Sequence, residues 1–190
     1  MNVAPIVRMR PTALTMFGLS IVIAAACGSG QASADVTARA ELIDPSGKTI
    51  GEALLRETPG GVLLQVDLAS AEAGVHGFHI HETGRCDRPT FASAGGHFAP
   101  GGTEHGILDE KEPHAGDLPN VHVPADGRLS FELLVPDVTL HSGDRSLLDG
   151  DGSALVMHRD RDDYMSEPAG SAGDRIACGV IVSQAGTAVP

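Results

Sequence analysis

From Gly77 to Asp117 the chain carries five histidines and an aspartate in two spaced patterns, His79-x-His81 and His97…His105…His114-x-x-Asp117. That is more metal-binding chemistry than a structural role needs, and it fixes what the fold has to deliver. Alternate residues of a β-strand point to one face, so His79 and His81, in the run Val75-His76-Gly77-Phe78-His79-Ile80-His81, present two imidazoles side by side. Two such imidazoles grip one metal ion.

The remainder of the chain supplies short strands around that one. At 190 residues with 42% hydrophobic content, the length suits one domain with an adequate core. Aromatics make up only 3% and Trp is absent, so the core must come from Val, Leu, Ile and Ala on strands separated by glycine-rich turns. Alternation over 36–42 and 62–68, and short apolar runs elsewhere, predict strands over 36–42, 50–55, 62–68, 75–82, 120–123, 129–134, 153–158 and 176–182. Eight short antiparallel strands imply an all-β fold, a Greek-key β-sandwich or barrel. Two long irregular stretches interrupt them. Residues 83–119 carry Pro89, Pro100, Pro113 and Pro119, and a loop this long in a compact domain is expected to be functional, ordered here by metal. Residues 159–174 are charged and short of apolar anchors, and are expected to lie across the site.

Residues 1–34 read as an export leader, with the folded domain over 35–190. Arg8 and Arg10 precede an uncharged apolar run from Pro11 to Cys27 that Pro11, Thr15 and Ser20 interrupt too often for a membrane span. Two processing sites compete. Ala24-Ala25-Ala26-Cys27 resembles a bacterial lipoprotein box and Ala32-Ser33-Ala34 offers an ordinary cleavage site; the reading favours a lipid tether on Cys27. Export makes a disulfide the default for Cys86 and Cys178, the two cysteines beyond the leader. Closing so long a loop stabilises by on the order of 4 to 5 kcal/mol in the chain-entropy view. The formal net charge of −12, more acidic still without the leader, argues against a nucleic-acid partner.

Several segments together resemble the copper/zinc superoxide dismutases in their exported bacterial form: Gly77-Phe78-His79-Ile80-His81-Glu82, Gly96-His97-Phe98, His105-Gly106, 114–120 and 173–180. The resemblance implies copper held by His79, His81, His97 and His158, and zinc held by His97, His105, His114 and Asp117. His97 would then be shared through its two ring nitrogens. The donor types agree independently: imidazoles suit copper, and three imidazoles with a carboxylate suit a closed zinc site. By the same resemblance Asp162 links His79 to His105, with Asp160 and Asp163 as neighbouring alternatives. Arg175 is the residue expected to attract and orient superoxide. The implied reaction takes two superoxide radicals and two protons to dioxygen and hydrogen peroxide by alternating copper reduction and oxidation, with His97 as catalytic proton carrier.

Not every histidine belongs to this scheme. His76, His122 and His141 read as ordinary surface or hydrogen-bonded residues. A cupin would place its acid several residues beyond His-x-His, whereas Glu82 is adjacent, and a metallo-β-lactamase-like site would continue with a near Asp-His, which is missing. Arg159 and Arg161 follow His158 and either aid anion capture or pair with Asp160, Asp162 and Asp163. The competing function is a non-catalytic exported copper or zinc store, which needs the same histidines but not Arg175. The expected location is the periplasm or cell envelope, with protection against oxidative damage as the role. Monomer and homodimer both remain open.

Overall fold

A computed structural model of the chain describes Met1 and residues 36–184. The leader beyond Met1, the lipidation site at Cys27 and the cleavage site at Ala32-Ser33-Ala34 lie outside the described residues. Ten strands form: β1 (Thr37–Ile43), β2 (Thr49–Thr58), β3 (Gly61–Leu68), β4 (Gly74–His76), β5 (Phe78–His81), β6 (Val121–Val123), β7 (Leu129–Val135), β8 (Ala154–His158), β9 (Arg175–Val180) and β10 (Val182–Gln184). Among the described residues the helical content is one 3-10 turn, Ala92–Ala94.

All eight expected strands are present, but two are split. The expected run 75–82 breaks at Gly77, whose N–H donates to the Asp160 carbonyl while its own carbonyl accepts from His158. That exchange of partners lets β4 pair with β6 in a small two-stranded sheet while β5 pairs with β8 in the large one. The expected run 176–182 breaks at Ile181, where the chain passes from β9 to β10 beside β1. The apolar positions change parity at Gly77, from Val75 to Phe78 and Ile80, and this marks the first break; 176–182 is apolar almost throughout and carries no such mark.

The large sheet has the order β5-β8-β9-β1-β2-β3-β7, with β10 also on β1, and every strand pair is antiparallel. β1, β2 and β3 follow one another as hairpins. The chain then crosses to the far end of the sheet to lay down β5, and later returns to place β7 beside β3, a Greek-key path. Phe78 on β5 and Phe131 on β7 stand at opposite ends of this order, yet their rings meet edge to face at 5.9 Å. The sheet therefore curls over until its two ends face each other across the core. Leu42, Leu55, Leu64, Val66, Phe78, Ile80, Leu155 and Met157 fill that interior, all at most 1% exposed. Burying side chains of this size is worth roughly 1.5 to 3 kcal/mol each, which fixes the inward face of every strand.

Candidate metal centre

Strand alternation places the first two histidines. Phe78 and Ile80 of β5 point into the core, so His79 and His81 point to the opposite face, and they are buried there too. What covers them is the long loop. β5 is an edge strand, and the loop pairs along its free edge: Phe98 donates to the Ile80 carbonyl at 2.8 Å, Ile80 to Gly116 at 2.9 Å and Glu82 to Gly96 at 2.9 Å. This pairing sets His97 across from His81 and Asp117 across from His79. Gly116 lets the strap approach so closely, because a Cβ there would stand 2.3 Å from the Ile80 oxygen. The loop is thus ordered by backbone pairing and by a disulfide between Cys86 and Cys178, whose Cα atoms are 5.7 Å apart.

His158 arrives from β8. The register between β8 and β9 shifts at Met157/His158, a bulge that re-aims the last residue and sets His158 opposite Arg175. Four donor atoms, one each from His79, His81, His97 and His158, then lie within 4.8 Å of one another. Which nitrogen each ring offers follows from what the other one does. His79 Nε2 is bonded to Asp162 at 2.8 Å, His81 Nδ1 to the Gly95 carbonyl at 3.0 Å and His158 Nδ1 to the Gly173 carbonyl at 3.2 Å. That leaves His79 Nδ1, His81 Nε2 and His158 Nε2. His79 Nδ1 and His97 Nε2 are buried without any hydrogen-bond partner, as expected of atoms meant for a metal.

The second cluster joins His97, His105, His114 and Asp117, again with donor atoms within 4.8 Å. The Nδ1 atoms of His97, His105 and His114 converge on Asp117 Oδ1 at 2.7, 3.0 and 3.2 Å. Asp117 Oδ2 accepts the backbone N–H groups of Gly106 and His114, which holds the carboxylate in place. Three imidazole nitrogens and one carboxylate oxygen are the four-donor composition of a structural zinc site. His97 belongs to both clusters, Nδ1 in this one and Nε2 in the other.

Asp162, not Asp160 or Asp163, joins the two: its carboxylate reaches His79 Nε2 at 2.8 Å and His105 Nε2 at 3.1 Å and is fully buried. Burial would raise the Asp117 and Asp162 carboxyl groups, but their histidine and backbone donors outweigh it and hold both well below the usual range. Burial would likewise lower His105, yet bonds to Asp117 and Asp162 raise it to about 10. Burial pushes His97 down to about 4, His158 to about 3, and His81 well below its ordinary value. Three of the four rings in the first cluster are therefore neutral at neutral pH, the form that ligates a metal.

Arg175 is half-buried beside these rings. Its guanidinium donates to the Phe91 carbonyl at 2.7 Å and the Gly95 carbonyl at 2.6 Å, and no carboxylate pairs with it among the described residues. The positive charge is pinned by neutral acceptors and stays available to an anion. Of the two arginines after His158, Arg159 pairs with Asp174 at 3.3 Å, a different acid from the three expected. The backbone explains it, since Arg159 N–H donates to the Asp174 carbonyl where the loop closes. Arg161 has no ion pair among the described residues. His122 and His141 are exposed, whereas His76 is buried, with ring nitrogens within 3.0 Å of the Glu72, His158 and Arg159 carbonyls. Several supports have no signature in the sequence: the carbonyls of Phe91, Gly95 and Gly173 carry no side-chain label, and Tyr164, whose N–H donates to Asp162 Oδ1, and Glu167, whose carboxylate accepts the His105 backbone N–H, lie in a charged run with no periodicity.

Comparison with known proteins places this geometry in context. Residues 49–181 match the family model described as copper/zinc superoxide dismutase. Superoxide dismutase [Cu-Zn] 2 of Aquifex aeolicus is 48% identical over 80% of this chain and 91% of its own length. A crystal structure of a superoxide dismutase-like protein from Bacillus subtilis superposes with a TM-score of 0.73 at 38% identity, over 76% of this chain and 97% of that one. Cu/Zn superoxide dismutase from Brucella abortus gives 0.63 at 31% identity, over 77% and 99%.

Proposed function

Because the chain belongs to the copper/zinc superoxide dismutase family, we propose that it disproportionates superoxide, with copper held by His79, His81, His97 and His158 and zinc by His97, His105, His114 and Asp117. One observation carries this reading: a single imidazole, His97, contributes one nitrogen to each of two adjoining donor sets. When bound, copper supplies one-electron redox chemistry and zinc a fixed positive charge on the far side of the shared ring.

The residues around the site supply the remainder. Of two superoxide radicals, one gives up an electron and leaves as dioxygen; the other gains it, takes two protons and leaves as hydrogen peroxide. Arg175, unneutralised and held at two carbonyls, draws the anion in against the acidic surface and orients it. His97 is placed to hold a proton at Nε2 and release it to the reduced product, while the Asp117 side of the ring keeps it from turning away. Burial of His79, His81 and His158 holds their rings in place, and Asp162 fixes the His79 ring. A store of metal would use the same histidines but has no use for a guanidinium kept free of carboxylates.

An exported location accords with the disulfide, and we place the protein in the periplasm or cell envelope, tethered through lipidated Cys27. The decisive measurement is superoxide decay with the protein loaded with one copper and one zinc. Catalysed decay that disappears on copper removal is expected; a fully loaded protein that leaves superoxide decay at the background rate rejects the reading. Tethering is tested separately, by whether Cys27→Ser moves the protein from the membrane to the soluble fraction.

A further inference from the structure

Asp162 must face two imidazoles at once from a loop with few apolar anchors, so something polar has to aim it. A closed circuit of four hydrogen bonds does so. Tyr164 N–H donates to Asp162 Oδ1 at 2.6 Å, and the Tyr164 phenol oxygen accepts the Asn120 backbone N–H at 2.7 Å. The Asn120 side chain closes the circuit, donating to the Asp162 carbonyl at 2.8 Å and accepting the Asp162 N–H at 2.8 Å. The Tyr164 carbonyl also accepts from Leu108 N–H at 3.2 Å, three residues beyond His105. One tyrosine thereby ties together the carboxylate, the segment after Asp117 and the segment after His105.

Its backbone marks it out as well. Tyr164 has φ +65°, a left-handed conformation that a bulky side chain adopts only where its surroundings over-determine it. The half-buried ring reaching back to Asn120 and the N–H directed at Asp162 are those surroundings.

We propose that Tyr164 is a positioning residue for both metals, its phenol oxygen holding the Asn120–Asp162 clamp so that one carboxylate orients His79 and His105 together. The proposal rests on the two clusters being metal sites. It differs from simple packing in what it couples: loosening the clamp frees a copper-side and a zinc-side ring at the same time, whatever happens to the core.

The test compares loaded wild type, Tyr164→Phe and Val66→Ala, a β3 core residue that takes no part in the clamp, for thermal stability and for release of zinc and copper to competing chelators. Tyr164→Phe keeps the ring and removes only the oxygen. It is expected to speed zinc release about tenfold or more, in line with the loss of a partner behind a ligand, and to speed copper release as well, whereas Val66→Ala lowers the melting temperature but leaves both release rates at the wild-type value. The proposal is overturned if Tyr164→Phe releases both metals at wild-type rates, or if Val66→Ala releases them as fast as Tyr164→Phe. A wild type that takes up neither metal overturns instead the metal-site reading beneath it. Dismutase activity enters none of these readouts.

Discussion

At the scale of single residues, position 170 shows how little room the bridge leaves. A Cβ on Gly170 would fall 1.7 Å from Asp162 Oδ1 and 2.8 Å from His105 Nε2, at a φ of +61°. Gly170→Ala must therefore push the carboxylate off its imidazoles. We expect zinc affinity to fall by roughly 10- to 100-fold, read as metal content after dialysis, with little loss of β-structure by circular dichroism. Arg175 makes a second case. Because neutral carbonyls hold its guanidinium, Arg175→Ala removes a charge that nothing else cancels, and kcat/KM should drop by roughly 10-fold or more with a flatter dependence on ionic strength. An unchanged salt profile would deny Arg175 its part in capture.

At the scale of elements, the disulfide couples stability to the site. Cys178 lies on β9, in a small buried cluster with Phe91, Ala94, Ala154 and Val156 that is separate from the main core. Phe91 and Gly95, on the segment pinned by Cys86, provide the two carbonyls that hold Arg175. Replacing both cysteines with serine should cost about 2 to 5 kcal/mol in unfolding free energy. It should also lower activity in protein that is still folded, because the guanidinium loses its fixed acceptors. Denaturant melts and assays below the transition separate the two effects; a destabilised variant with full activity would show that the segment holds Arg175 without the crosslink.

At the scale of the whole molecule, the metal-free protein should be most stable near pH 6.5. Burial lowers His97 to about 4 and His158 to about 3, so on acidification the unfolded chain, with histidines near 6.5, takes up protons that the folded one refuses, and stability falls from pH 6.5 toward 4. His105 runs the other way. Burial would lower it, but Asp117 and Asp162 raise it to about 10, so its contribution is complete below 6.5 and is lost as pH climbs toward 10. Melting temperatures of the chelator-treated protein across this range should trace a maximum, and zinc loading should flatten the alkaline limb, since ligation takes the place of the proton at His105 Nδ1. A monotonic profile would contradict this balance.

How far the sequence foretold this whole depends on where the information resides. Five candidate histidines and Asp117 were legible because imidazole and carboxylate chemistry is written in side-chain identity, and the period-2 spacing of His79 and His81 gives their common face, whereas His158 and the division into two donor sets came only with the resemblance. The expected strand ran on through Gly77, although the apolar positions change parity there, Val75 being odd and Phe78 and Ile80 even, as the change of sheet requires. The pairing of Arg159 with Asp174, fifteen positions away, was not legible, since it follows from a loop closure that composition does not encode. Choosing Asp162 from three neighbouring acids needed the resemblance to known relatives, and the structure supplies the reason: it alone stands between the rings of His79 and His105.

The strap along β5 has a further consequence. It takes up the N–H and C=O groups along a sheet border that would otherwise be unpaired, whose own residues, Phe78 to His81, are apolar or aromatic. Should loss of ligands and crosslink let the strap peel away, the bared ribbon becomes a template onto which another molecule can add a strand. Guarding the reactive ions and guarding against clumping are thus one and the same task for residues 96–117.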